Sequence, residues 1–220
     1  MRQVIADLPA SRIREVANAG LGRSDVLAFW FGESDEITPM GVRDAAVTSI
    51  EAGETFYAHN LGLPVTPARA GALMRAEQAL VDPGYDVVVV VPVWPNLTAQ
   101  PAIMGARVRR VSLRAEAGAW RLDLDELLAA VTPATRVLVL NAPNNPTGWT
   151  LTRAEQQVIL DHCRRTGTWI VSDEVYERLY YPDAVPRPGQ VVCAPSFLDL
   201  ADPEDRLVVV HSFSKSFLMT

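Results

Sequence analysis

Lysine is all but missing from this chain. The sequence holds 20 lysine and arginine residues; Lys215 is the one lysine and the other 19 are arginine. Cysteine is nearly as scarce. Cys163 and Cys193 are too few for a disulfide framework and lack the short paired spacing of a zinc site, so a reduced, cytosolic chain is the simplest expectation. Positive charge is not in excess: the net charge is −6 and the sequence pI is near 5.1. That balance argues against a nucleic-acid surface, which needs clustered basic residues to meet phosphates. The short run Arg107, Arg109, Arg110 reads instead as the solvated edge of a strand. No apolar run approaches the ~20 residues of a membrane-spanning helix. The opening MRQVIADLPASRIREV has no apolar stretch of signal-peptide length. A P-loop, a GxGxxG fingerprint and a Ser/His/Asp order are also lacking.

What is present is a soluble-protein composition, 49% hydrophobic and 21% charged over 220 residues. At ~150 residues per domain, the expectation is one large domain, or one domain and a fragment. Residues 12–20 and the stretch GVRDAAVTSIEAG suggest two early helices. From residue 67 the pattern alternates. A helical stretch over 67–81 ends at the turn DPG, and YDVVVVV at 85–91 is a continuous β-branched run, the mark of a strand buried on both faces. NLTAQPAIMG then reads as a weak helix and ARVRRVSL as a strand. Asp123 with Glu126, and Thr152 with Glu155, form N-cap and N3 pairs that open two further helices. RVLVL, TWIVSD and RLVVVH are strands, and YPDAVPRPGQVVCAPSF is a proline-rich surface excursion. Strands alternating with helices predict an α/β fold of three layers, a mainly parallel sheet flanked by helices.

In open α/β sheets, ligands bind beyond the carboxyl ends of the strands. The residues there are chemically distinctive. Trp94 follows the first strand, Asn145 the RVLVL strand, Asp173 ends WIVSD with Tyr176 three residues on, and Ser212, Ser214 and Lys215 follow the last strand. Lysine differs from arginine in one relevant way: its amine can lose a proton and attack a carbonyl, which a guanidinium cannot. Neutralising an amine of pKa ~10.4 at pH 7 costs about 4–5 kcal/mol, and a Schiff base removes that cost. The bland alternative, a chance survivor of arginine-biased codon usage on a solvated loop, does not explain the company Lys215 keeps.

NNPTG, SDEVYERLYY and SFSKSF, in this order, resemble the class I/II aminotransferases of the fold-type I pyridoxal-phosphate superfamily, from about residue 25 to the end. The resemblance implies an N-terminal segment over 1–24 and a partial cofactor-binding large domain over 25–220, with the small domain mostly absent. It implies pyridoxal 5'-phosphate as cofactor, an amino acid and a 2-oxo acid as substrates, a cytoplasmic homodimer, and no nucleic-acid or membrane partner. Lys215 matches the lysine that holds the cofactor as a Schiff base and shuttles the substrate proton. Asp173 matches the carboxylate paired with the pyridine nitrogen; Tyr176 and Asn145 match the donors to the ring hydroxylate, and Trp94 the aromatic stacked on the ring. Ser212, and more weakly Ser214, match hydroxyls at the phosphate. Tyr57 matches the tyrosine that reaches the neighbouring subunit's phosphate, and Gly32, with Asn145, matches the substrate-binding positions.

Two departures accompany these matches. Family members continue past the lysine through a Gly-Trp-Arg stretch and a C-terminal small domain that supply arginines for phosphate and substrate carboxylate; neither arginine is matched here. The chain also reads as internally shortened, because HNLGLP meets VTPARAG directly. This sets Arg69 and Ala70 where the family's backbone grips the phosphate, a close approach that suits glycine. The expectation is weak cofactor binding and poor transamination by these 220 residues. A lyase or decarboxylase of the same fold uses the same cofactor residues and stays open as an alternative, as does a non-catalytic remnant acting as an interaction module. An aminotransferase-type effector domain of a regulator needs a DNA-binding region, for which residues 1–24 are too short.

Overall fold

The computed structural model describes residues 5, 7, 12–31, 36–54, 72–182 and 192–218. In chain order the elements are α1 (Arg12–Gly20), α2 (Met40–Glu51), α3 (Ala72–Leu80), β1 (Asp86–Val91), α4 (Asn96–Met104), β2 (Arg107–Ser112), β3 (Arg114–Glu116), β4 (Ala119–Arg121), α5 (Leu124–Ala130), β5 (Thr135–Asn141), α6 (Arg153–Thr166), β6 (Trp169–Asp173), a 3-10 turn (Phe197–Asp199), β7 (Leu207–Val210) and α7 (Phe213–Ser216). β2, β1, β5, β6 and β7 form one sheet in that order, and every pairing within it is parallel.

The β-branched runs lie at the centre of the sheet because both of their faces are covered. Val88 and Val90 of β1 and Leu138 and Leu140 of β5 pack with Leu127 of α5 and Ile159, Leu160 and Cys163 of α6. The alternate residues Val87, Val89, Val137 and Val139 face the other way, onto Leu80 of α3 and Leu97 of α4. Period-two alternation thus splits one continuous apolar run into two cores, and the sheet becomes the middle of three layers. β2 lies at the edge with Arg107, Arg109 and Arg110 exposed.

The caps form as their spacing requires. The Asp123 carboxylate accepts from the Glu126 backbone N–H at 3.0 Å. Thr152 N–H donates to the Glu155 carboxylate at 2.7 Å, while Glu155 N–H donates to Thr152 Oγ1 at 3.2 Å. The 3-10 turn, α7 and one hairpin go beyond the sequence reading. β3 and β4 form a small exposed antiparallel hairpin whose turn residues, Ala117 and Gly118, have φ of 50° and 80°. A two-residue turn with both φ positive suits the right-handed twist of the strands but usually carries Asn or Asp first. Alanine there hides the signal. The proline-rich excursion lies largely outside the described residues.

Candidate active site

Strand order reverses between β1 and β5: the chain runs from β1 outward to β2, then returns to β5 on the other side of β1. Such a switch point leaves a crevice at the carboxyl ends of the strands. A cavity of about 740 Å³ opens there, lined by Trp94, Asn145, Asp173, Tyr176, Ser212, Ser214 and Lys215. Seven of the residues singled out from the sequence therefore share one wall system. Gly32, Tyr57, Arg69 and Ala70 lie outside the described residues.

Backbone pairing fixes the floor. Asn141 and Asp173 end adjacent strands and stand in register. The Asn141 side chain donates to the Asp173 carbonyl at 3.0 Å and accepts from the Asn145 backbone N–H at 2.8 Å. Asn145 is thereby aimed so that its Nδ2 donates to the Tyr176 hydroxyl at 3.2 Å. Lys215 Nζ stands 5.8 Å from the Tyr176 ring centroid. Asp173 is buried at 4% exposure, whereas Trp94 is 40% exposed and so offers its ring to the cavity instead of the core.

Ser212 ends the approach from β7 and caps α7, its Oγ accepting from the Ser214 backbone N–H at 3.1 Å. Behind it, buried Glu174 ties three segments together. Its carboxylate accepts from Ser172 Oγ at 3.0 Å and from the Phe197 N–H at 3.2 Å, and its own N–H donates to the Val210 carbonyl at 2.9 Å. His211 bridges towards the same group, with Nε2 at 3.9 Å from Glu174 and Nδ1 at 3.4 Å from Glu177.

Electrostatics single out Tyr176. Burial pushes its phenol above the ordinary value, the Asn145 hydrogen bond opposes this, and the Asp173 charge adds to it. Replacing Asn145 with alanine removes the opposing effect, so the Tyr176 pKa is expected to rise further. A tyrosinate absorbance titration of wild type against Asn145→Ala checks this; coincident curves contradict it.

The structure adds residues that strand-end reasoning missed. Arg14, Trp30, Phe31 and Gln100 also line the cavity, and the Gln100 side-chain oxygen Oε1 is buried with no hydrogen-bond partner among the described residues. Asn141 joins them as the hinge of the floor. No cluster of three or more metal-ligating side chains occurs among the described residues.

Comparison with known proteins decides the family. The model for "Aminotransferase class I and II" matches residues 65–220. The chain belongs to the class I and II aminotransferases. It is 32% identical to an arginine–pyruvate transaminase of Pseudomonas aeruginosa over 89% of this chain and 53% of that protein. To an aspartate aminotransferase of Pyrococcus abyssi it is 30% identical over 96% of this chain and 58% of that one. The crystal structure of an aspartate aminotransferase from Thermotoga maritima superposes with a TM-score of 0.84 at 28% identity, covering 100% of this chain and 64% of its own. The chain thus spans little more than half the length of these curated aminotransferase relatives. Its parallel sheet and flanking helices match the large domain of this family.

Proposed function

We propose that the site is that of a pyridoxal-phosphate-dependent aminotransferase, which moves an amino group between an amino acid and a 2-oxo acid. The observation that carries the proposal is the shared cavity of Lys215, Asp173, Tyr176 and Asn145 at the carboxyl edge of the sheet. The donor set fits the cofactor group by group: an amine for the aldehyde, a buried carboxylate for the ring nitrogen, a phenol and an amide for the ring oxygen, an exposed indole face for the ring, and serine hydroxyls for the phosphate. The cofactor, once bound, supplies an electron sink for the negative charge left at the substrate carbon.

The remaining chemistry belongs to the chain. Lys215 would hold the cofactor through its amine and would be the base for the substrate proton, roles open to an amine and closed to a guanidinium. Asp173, anchored by β6, would face the ring nitrogen and favour its protonated form. Tyr176 and Asn145, already bonded to each other, present a hydroxyl and an amide to the ring oxygen. The division into residues 1–24 and 25–220, the cytoplasmic homodimer with Tyr57 at the neighbour's site, and the roles of Gly32, Arg69 and Ala70 belong to the same proposal. No helix among the described residues is long and apolar enough to cross a membrane.

The test is chemical. Protein mixed with pyridoxal phosphate is reduced with borohydride and its peptides are mapped by mass spectrometry. Cofactor fixed to the peptide containing Lys215 is expected, with none fixed in Lys215→Ala. Attachment only at the amino terminus overturns the assignment.

A further inference from the structure

Lys215 sits on a helix too short to hold itself. α7 runs only from Phe213 to Ser216, a single turn, and one turn fixes several backbone angles for little hydrogen bonding in return. Its amino end is closed by the Ser212 hydroxyl, which accepts from the Ser214 N–H at 3.1 Å. Its carboxyl end is strained. Leu218, the residue after the Phe217 cap, has φ of 55°. Glycine is the usual occupant of that left-handed position, and the Cβ of a leucine there crowds the backbone. Among the described residues Ala117 is the only other non-glycine with positive φ. The β3–β4 turn demands it of Ala117, whereas Leu218 lies in no hairpin.

The tie that reaches Leu218 comes from the other end of the sequence. Thr38 Oγ1 donates to the Leu218 carbonyl at 2.6 Å, partly shielded from water. Thr38 precedes Pro39, the N-cap of α2, which is made without a side-chain hydrogen bond. A threonine beside a helix start ordinarily serves that helix; this one reaches across the fold instead. A second tie is weaker. Arg178 places its guanidinium carbon 5.5 Å from the Phe217 ring centroid, but both side chains are open to water, where such a stack contributes little. The Thr38 bond is therefore the stronger of these two ties at the carboxyl end of α7. What it restrains bears on the site, because Lys215 Nζ stands 5.8 Å from the Tyr176 ring centroid in the cavity wall. A turn that relaxed out of the left-handed region would rotate α7 and swing the amine away.

We propose that Thr38 is a positioning residue for Lys215: its hydroxyl pins the strained turn at Leu218, and the pinned turn holds the amine beside Tyr176. Its bearing on the reaction rests on the aminotransferase reading; its bearing on the amine does not. Thr38 is not among the residues lining the cavity, so it acts through the Leu218 backbone.

The sole lysine makes the test direct. Reductive methylation with isotope-labelled formaldehyde marks Lys215 alone beside the terminal amine, and the methylated amine keeps its charge. In the unaltered chain the Lys215 methyl signal in the NMR spectrum is expected upfield of its position in urea, shielded by the Tyr176 ring. Thr38→Val, which keeps the branched shape and removes the hydroxyl, should move the signal most of the way to the urea position. Thr38→Ser should leave it near that of the unaltered chain. Adding Leu218→Gly to Thr38→Val should bring the signal back, since glycine adopts the turn without strain; this double variant also guards against a Thr38→Val chain that fails to fold. With pyridoxal phosphate, borohydride trapping at Lys215 should slow about 3- to 10-fold in Thr38→Val, the effect of one hydrogen bond. An unaltered chain whose signal already lies at the urea position, a signal unmoved by Thr38→Val, equal displacement by Thr38→Ser, no recovery on adding Leu218→Gly, or an unchanged trapping rate each overturns the proposal. If the unaltered chain traps no cofactor while the methyl signals behave as described, the cofactor reading fails and the role of Thr38 at Lys215 stands.

Discussion

Replacing Glu77 with methionine is expected to stabilise the protein, and by more as the pH rises. Glu77 lies on α3 with no exposed surface, and among the described residues neither carboxyl oxygen has a hydrogen-bond partner. The helix packs on α4 and on the β6 and β7 side of the sheet, where the neighbouring buried groups are aliphatic. Burial pushes the carboxyl from 4.5 up to about 8. The sign follows from proton counting. Between those two values the folded chain keeps the proton and the unfolded chain has lost it, so stability falls as pH rises through that window. At ~1.4 kcal/mol per pH unit, the burden reaches about 3 kcal/mol at pH 7 and roughly 4–5 kcal/mol above pH 8.

Methionine has a similar volume and no charge to bury. Urea denaturation of wild type and Glu77→Met from pH 4.5 to 8.5 should give two stability curves that diverge upward in pH by that amount. Parallel curves contradict the assignment. The consequence reaches the site, because Leu73, one turn before Glu77 on the same helix, lines the cavity.

Glu77 also marks how far the sequence could be read. In ALMRAEQAL the apolar residues Leu73 and Leu80 stand four before and three after it, so helical spacing puts Glu77 on the buried stripe. Composition alone would have assigned it to the solvated face. The strands were legible because β-branched runs of five or six residues suit few places other than a sheet covered on both faces. The two capping pairs were legible because their chemistry is local. Strand order was not, since it depends on which strands meet across the sheet. Lys215, Asp173, Tyr176, Asn145 and Trp94 were found by one rule, that polar residues after strands collect at one edge, and all five line the cavity. Arg14, Trp30 and Phe31 escaped the rule because they follow no strand. They reach the cavity through the packing of α1 and the segment after it, which no short-range pattern in residues 12–31 announces.

Substituting Asp173 with asparagine is expected to lower affinity for pyridoxal phosphate by about two to four orders of magnitude. The backbone of Asp173 is held on both sides, paired with Asn141 of β5 and Val210 of β7. An isosteric amide therefore removes the charge and leaves the position. In the proposed complex that charge faces a protonated ring nitrogen away from water, and removing one partner of a buried pair costs about 3–5 kcal/mol. A second readout needs no cofactor. The Asp173 charge helps to raise the Tyr176 pKa, so in Asp173→Asn the Tyr176 phenol should ionise at lower pH than in wild type, the opposite of the shift expected for Asn145→Ala. Absorbance titrations with pyridoxal phosphate and with base measure the two effects separately. A lowered Tyr176 pKa with unchanged cofactor affinity would show the carboxylate sitting at the cavity floor without touching the ring, and would remove Asp173 from the proposed chemistry.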